Sequence, residues 1–193
     1  MVIYPHRRKA FRGSKSSSGE TDPDFASVVL LLHCDGTNGS TTLTDSSSYG
    51  RTMTASGTAQ VDTSVPKFGT AGLKLDASAS NYLNAAGSSD FALNADFTIE
   101  LWYYPRATPN IQSILDIGGG VSGISLRSNQ NASDISLWVK GVSASRPYIW
   151  TLNTWHYVAI KRSGTSVSFW VNGSQIGTAF NNAFTFSSAT PSL

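Results

Sequence analysis

The chain has 193 residues, a length that a single β-sandwich or barrel uses almost entirely. Charged residues make up 13% against a usual level of about 25%, and hydrophobic residues reach 40% with five Trp, a balance that excludes a disordered chain. The net charge of +2 conceals an asymmetry. Arg7, Arg8, Lys9, Arg12 and Lys15 supply five of the 14 basic residues, so residues 16–193 carry nine basic against twelve acidic groups. A basic arm can bind nucleic acid through phosphates, but this one, which also holds His6 and Phe11, is equally suited to dock on protein, and nucleic acid is not the expected partner. Cys34 stands alone, which excludes an intrachain disulfide and a cysteine-based metal site.

In chain order, residues 1–26 read as an arm and linker: a basic stretch, then Gly13-Ser14-Lys15-Ser16-Ser17-Ser18-Gly19, then acidic residues through Asp24. A Gly/Ser-rich segment is flexible in isolation, so the arm is expected to order against a partner. No apolar run follows the basic residues before Ser27, so no signal peptide is visible. The domain proper, residues 27–193, opens with Val28–His33, an apolar run that reads as a strand buried on both faces. Its five apolar residues fall far short of the ~20 needed to cross a bilayer, and no membrane insertion is expected.

Short β-like segments follow, separated by turn signals: Thr41–Thr44, Thr52–Ala55, Gly72–Asp76 and Tyr82–Asn84. Next comes Phe97-Thr98-Ile99-Glu100-Leu101-Trp102-Tyr103-Tyr104. Phe97, Ile99, Leu101 and Tyr103 share one face and Thr98, Glu100, Trp102 and Tyr104 the other, because strand side chains alternate with a period of two. This predicts a central strand, ended by Pro105, which has no N–H to give to a ladder. Ser113–Ile117, Gly123–Ser128, Ser136–Val139 and Trp155–Arg162 continue the series. Val167–Val171 and Ser174–Thr178 flank Asn172-Gly173, a two-residue hairpin signal. No window carries an apolar stripe of helical period. The fold class is all-β, a sandwich or jelly roll.

Catalytic patterns are mostly absent. Glycan cleavage needs two carboxyl groups about 5–10 Å apart. Glu20 and Glu100 are the only glutamates, and on a strand Asp96 and Glu100 lie about 13 Å apart. Glu100 is therefore read as a structural partner of Lys161 or Arg162. His33 and Cys34 are adjacent, so on a strand they face opposite ways. His156 reads as an aromatic-rich core-edge residue. Gly118–Gly123 matches GxGxxG, but Ile124–Arg127 after it reads as a strand rather than the helix a dinucleotide site requires. Asn38, Asn131 and Asn172 open glycosylation sequons without an export signal to give them meaning. No cofactor is required by any of this. Asp35, Asp45, Asp76 and Asn81 offer the oxygen ligands a calcium ion takes, although turn formation is the ordinary role of Asp and Asn.

The order of segments resembles the laminin-G-like, concanavalin A-like jelly roll. The residues that carry the resemblance are Leu30–Gly36, Thr44–Ser47, Lys67–Asp76, Asn81–Leu83, Asp96–Trp102, Asn153–Ala159 and Trp170–Gly173. In that family a closing strand follows the position of Leu193 and lies beside the first strand, so the resemblance implies an open edge next to Val28–His33. Tyr4–Arg12 resembles the start of tailed-phage virion proteins that carry such a domain. Together these imply a non-enzymatic virion protein, a tail fibre or tail-associated adhesin in a homo-oligomer, with a trimer favoured. Tyr4, His6, Arg7, Arg8, Lys9, Phe11 and Arg12 would dock on other virion proteins, and the jelly roll would bind a host-surface glycan or protein. Trp102, Tyr104, Trp138, Tyr148 and Trp150 are the aromatics proposed to stack on sugar, against sandwich core or inter-subunit contact as their alternative. A capsid decoration protein making only protein contacts and a glycan-active enzyme are the competing readings.

Overall fold

The structure is a computed structural model that describes residues 1–4, 23–76, 80–107, 112–118, 122–129, 133–181, 185 and 191–193. Its strands in chain order are β1 (Val2–Tyr4), β2 (Leu30–Leu31), β3 (Met53–Ser56), β4 (Gln60–Asp62), β5 (Gly72–Lys74) and β6 (Tyr82–Ala85). Then come β7 (Phe97–Tyr103), β8 (Gln112–Ile117), β9 (Ile124–Asn129), β10 (Asp134–Val139) and β11 (Val142–Pro147). β12 (His156–Ser163), β13 (Ser166–Val171), β14 (Ser174–Gln175), β15 (Phe180–Asn181) and β16 (Pro191–Ser192) complete the series. Two short 3-10 turns, Phe25–Ser27 and Ser89–Phe91, interrupt it.

Two antiparallel sheets form a sandwich. The first runs β14-β13-β12-β7-β1-β2, with β15 also on β13, and the second runs β11-β10-β9-β8-β16-β6-β3. A separate ribbon pairs β4 with β5. The alternation read in the sequence sets the core. Phe97, Ile99 and Leu101 point inward beside Val158 and Ile160 of β12 and face Leu126, Ile135 and Leu137 of the second sheet, all buried in one continuous cluster. The Asn172-Gly173 turn is as expected: both residues have positive φ, 50° and 82°, and Val171 pairs with Ser174 across it.

Three expectations are corrected. First, the arm does not include its first residues. Val2–Tyr4 is a strand of the first sheet, with Val2 opposite both Glu100 and Leu31, and Ile3 has no exposed surface. Tyr4 thus belongs to the sheet, while His6, Arg7, Arg8, Lys9, Phe11 and Arg12 lie outside the described residues. Second, the place beside Val28–His33 that was expected to stand open is held by β1. Third, Val28–His33 is not a full strand. Only Leu30 and Leu31 form a strand, and on the edge away from β1 the Leu31 N–H donates to the Asp45 carboxylate (2.9 Å) where another strand's carbonyl would stand. Thr41–Thr44 likewise forms no strand, and the residues just after it meet the sheet through the Leu32–Asp45 bridge, the Ser46 N–H to Leu31 carbonyl bond and the Asp45 carboxylate.

Candidate functional site

β7 sorts its aromatics by parity. Trp102 stands on the outer face opposite Tyr157 of β12, while Tyr103 stands on the inner face opposite His156. Outside, Trp102 is 39% exposed and its ring lies 5.4 Å from Tyr157 and 5.6 Å, edge-on, from Phe68. Phe68 is 66% exposed, a large apolar side chain held in solvent. Tyr104 packs on Trp155 at 5.1 Å just beyond the strand. The result is an open aromatic row at one end of the first sheet.

The loop that brings Phe68 to Trp102 is fastened by Asp35. Its carboxylate accepts the Thr70 N–H (2.6 Å), the Thr70 hydroxyl (3.0 Å) and the Ala71 N–H (3.3 Å). These donors, the Thr70 N–H first among them, hold the Asp35 carboxyl below its ordinary range. Gly69 turns the loop at φ +62°, and a Cβ there would strike the Asp35 carboxylate, so the turn requires glycine on both counts. The aromatic row is therefore preorganised from a residue outside it.

A groove of about 650 Å³ opens beside the row, between the end of β7, the Val65–Gly72 loop and the Leu32–Asp35 segment. Its charges are mostly committed. Arg106 donates to Asp62 (2.8 Å) and to Ser64 (3.0 Å), and Lys74 lies 3.4 Å from Asp76. The Ser64 hydroxyl and N–H together with Arg106 bring the Asp62 carboxyl down to about 2. The Lys67 ammonium sits 4.1 Å from the centre of the Trp102 ring and 5.5 Å from that of Phe68.

The inner aromatics make a different object. Trp150 is 2% exposed and packs edge-on against Tyr148 (4.8 Å), Tyr103 (5.0 Å) and His156 (5.0 Å). Tyr103 donates to Gln112 Oε1 (3.0 Å), and burial pushes its hydroxyl up to about 12. His156 Nε2 lies 3.0 Å from the Thr151 carbonyl oxygen, which can only accept, so that nitrogen carries the proton. Nδ1 meets the Asn172 Nδ2 at 3.3 Å, and the amide is oriented by the Tyr157 N–H donating to Asn172 Oδ1. Both ring nitrogens of this core histidine are thus engaged.

Of the five aromatics proposed to meet a sugar, the structure brings Trp102 and Tyr104 to the groove. Trp150 is corrected: it is core, and Tyr148 is its half-buried cover. Trp138 lies on the outer face of the second sheet, with the Arg127 guanidinium 5.3 Å above its ring. Phe68, Trp155 and Tyr157 were missed. Glu100 is also corrected in its partner, since Tyr157 rather than Lys161 or Arg162 takes it, the hydroxyl donating at 2.6 Å, whereas Arg162 is buried and donates to the Leu93 and Gly164 carbonyls.

The four oxygen donors read as calcium candidates serve as fasteners. Asp45 accepts the Leu31, Ser47 and Arg51 N–H groups, which outweigh the upward push of burial and hold its carboxyl low. Asp76 accepts the Thr58 hydroxyl (3.1 Å), and Asn81 joins the Thr58 N–H to the Asp76 carbonyl. Among the described residues no three His, Cys, Asp or Glu side chains converge on a metal position.

The model of the concanavalin A-like lectin/glucanases superfamily matches residues 76–193. Among solved structures, one of botulinum neurotoxin type C, which depends on interaction with two ganglioside molecules to enter cells, is similar at 17% identity and a TM-score of 0.63, over 86% of this chain and 42% of that one. The binding domain of botulinum neurotoxin DC in complex with rat synaptotagmin II is similar at 17% identity and TM-score 0.62, over 86% and 43% of the two chains. The same domain in complex with SialylT gives 16% and 0.61, over 86% and 42%. The chain thus spans less than half the length of these structures, and at such identities the likeness is one of fold. No curated protein sequence matches the chain.

Proposed function

The chain belongs to the concanavalin A-like lectin/glucanases superfamily, and on that premise we propose that it is a non-enzymatic carbohydrate-binding module. Its binding surface is the aromatic row of Phe68, Trp102 and Tyr157, with Tyr104 and Trp155 flooring the groove beside it. The observation that carries this reading is Trp102: a tryptophan on the outer face of a central strand, 39% exposed, with a second exposed aromatic held against it by a fastened loop. Burying an aromatic is the ordinary outcome, and holding two in solvent beside a groove with a few fixed polar groups is what a ligand site needs. Of the botulinum neurotoxin structures of similar fold, one holds SialylT and another belongs to a toxin whose cell entry depends on interaction with two ganglioside molecules, and that fits the same reading.

The non-enzymatic half rests on the carboxylates. Tyr157 occupies Glu100, and the Gly164 N–H donates to Asp96 at 2.6 Å. A glycan array tests the binding half: retention of at least one glycan class is expected, with loss in Trp102→Ala, and an empty array sinks it. Incubation with polysaccharides is expected to release no new reducing ends. Turnover that disappears in Glu100→Gln would reverse the assignment.

The finer reading sets the module on a tailed-phage virion as a tail-fibre-type adhesin, homo-oligomeric and trimeric by preference. It is supported by the resemblance of Tyr4–Arg12. Deleting residues 5–20 leaves β1 in place, and the expected result is a folded domain that no longer joins its particle. Full incorporation of that deletion would refute the docking role, and assembly without any glycan binding would favour a capsid decoration protein.

A further inference from the structure

We infer that the sugar recognised at the Trp102 row carries a carboxylate, and that the Lys67 ammonium is the group that reads it. The inference rests on the carbohydrate-binding reading above and adds the chemical class of its ligand.

The groove beside the row is lined by charges of both signs. Its lysine and arginine side chains are Lys67, Lys74 and Arg106. Lys74 has Asp76 at 3.4 Å and Arg106 has Asp62 at 2.8 Å. The remaining carboxylate side chain, Asp35, holds the Thr70 and Ala71 donors on Oδ1. Lys67 is the one of the three with no carboxylate partner among the described residues. Its ammonium instead rests on the Trp102 face, with Phe68 beside it.

Position makes this more than a spare surface lysine. Lys67 is half-buried and belongs to the loop that Asp35 and Gly69 fix, so its ammonium is held at the aromatic row rather than free to range through solvent. A neutral sugar stacked on Trp102 would have to displace the ammonium from the ring and leave it without a replacement partner. A sugar ring bearing a carboxylate gives the ammonium a stronger partner than the π face it leaves, because a charge-assisted hydrogen bond replaces a cation–π contact. The ring then stacks where the ammonium stood.

Two families of sugar carry this group, the hexuronic acids and the sialic acids, and matched pairs separate them. The test measures the full chain by titration calorimetry against trigalacturonate and its methyl ester, and against sialyllactose and lactose. In at least one pair the acidic member is expected to bind tenfold or more tightly, which is about 1.4 kcal/mol, with the preference shrinking as salt rises. Whichever pair shows it names the source. In Lys67→Gln the acid-to-neutral ratio should fall to about one, and in Lys67→Arg it should persist. Equal binding of acidic and neutral members, or a ratio unmoved in Lys67→Gln, overturns the carboxylate inference and leaves carbohydrate binding intact. Absence of binding to every member, with an empty glycan array, overturns both.

Discussion

Trp102 and Tyr103 are neighbours on one strand and head two aromatic groups that have opposite fates. Trp102 opens outward into a row with Phe68 and Tyr157, and Tyr103 turns inward to a pile with Trp150, Tyr148 and His156. Both groups are built from aromatic rings at similar separations. What differs is the partner on the remaining faces: protein core for the pile, and a half-buried lysine and water for the row. Aromatic clustering alone therefore says nothing about binding, and exposure of a held ring does.

Substitution at Trp150 separates the two groups by the largest effect. Trp150→Ala is expected to cost about 3–5 kcal/mol of stability, the range for removing a buried aromatic, read by urea denaturation, while the folded fraction keeps its glycan affinity. A stable variant that no longer binds would exchange the roles of pile and row. Trp102→Ala is the converse. Its ring contacts with Phe68 and Tyr157 are worth about 1 kcal/mol of stability, but glycan affinity should fall tenfold or more, about 1.4 kcal/mol.

Asp35→Asn sharpens the point, since that side chain touches the loop and not the row. A severalfold drop in affinity with the aromatics intact is expected, and an unchanged affinity would mean the loop needs no fastening. Acid should act in the same direction. The Asp35, Asp45, Asp62 and Asp90 carboxyls are all held low in the folded chain. Their contribution is complete above the unfolded carboxyl value of about 3.9. It is lost as pH falls through the folded values, which for Asp62 is about 2. Thermal melts between pH 5 and pH 2 should show the loss confined below about pH 4. Trp138→Ala has the smallest expected effect: the contact with Arg127 is worth roughly 0.5–1 kcal/mol, and glycan binding should not change.

The fold was legible wherever alternation was strong. Phe97–Tyr103, His156–Ser163 and Ser166–Val171 carry inner apolar residues at every second position, and their registers follow. β4 and β11 were not foreseen. β11 reads Val-Ser-Ala-Ser-Arg-Pro, an edge strand without an inner apolar face to announce it. Half the site was legible for the same reason, because parity put Trp102 and Tyr104 outside. Tyr148 and Trp150 follow the end of β11, where period two is silent, and their burial is decided by the tertiary packing of Tyr103 and His156. Phe68 could not be read as exposed, since its position depends on the bond from Thr70 to Asp35, 35 residues earlier in the chain.

The placement of β1 and β16 also bears on how fast the sandwich can form. β1 lies inside the first sheet, with Val2 opposite Glu100, and β16 lies inside the second, with Ser192 opposite Asn84. The first sheet is not contiguous until β1 has reached β7, and the second not until β16 has reached β6 and β8, partners far away along the chain. Loop closure over such distances must precede the contacts that reward it, so folding belongs to the slow, high-contact-order regime of milliseconds to seconds. On a ribosome β1 is made first and waits for β7, while the lane between β6 and β8 stays empty until β16 is made, and the exposed strands beside it would depend on chaperones to avoid pairing with other chains.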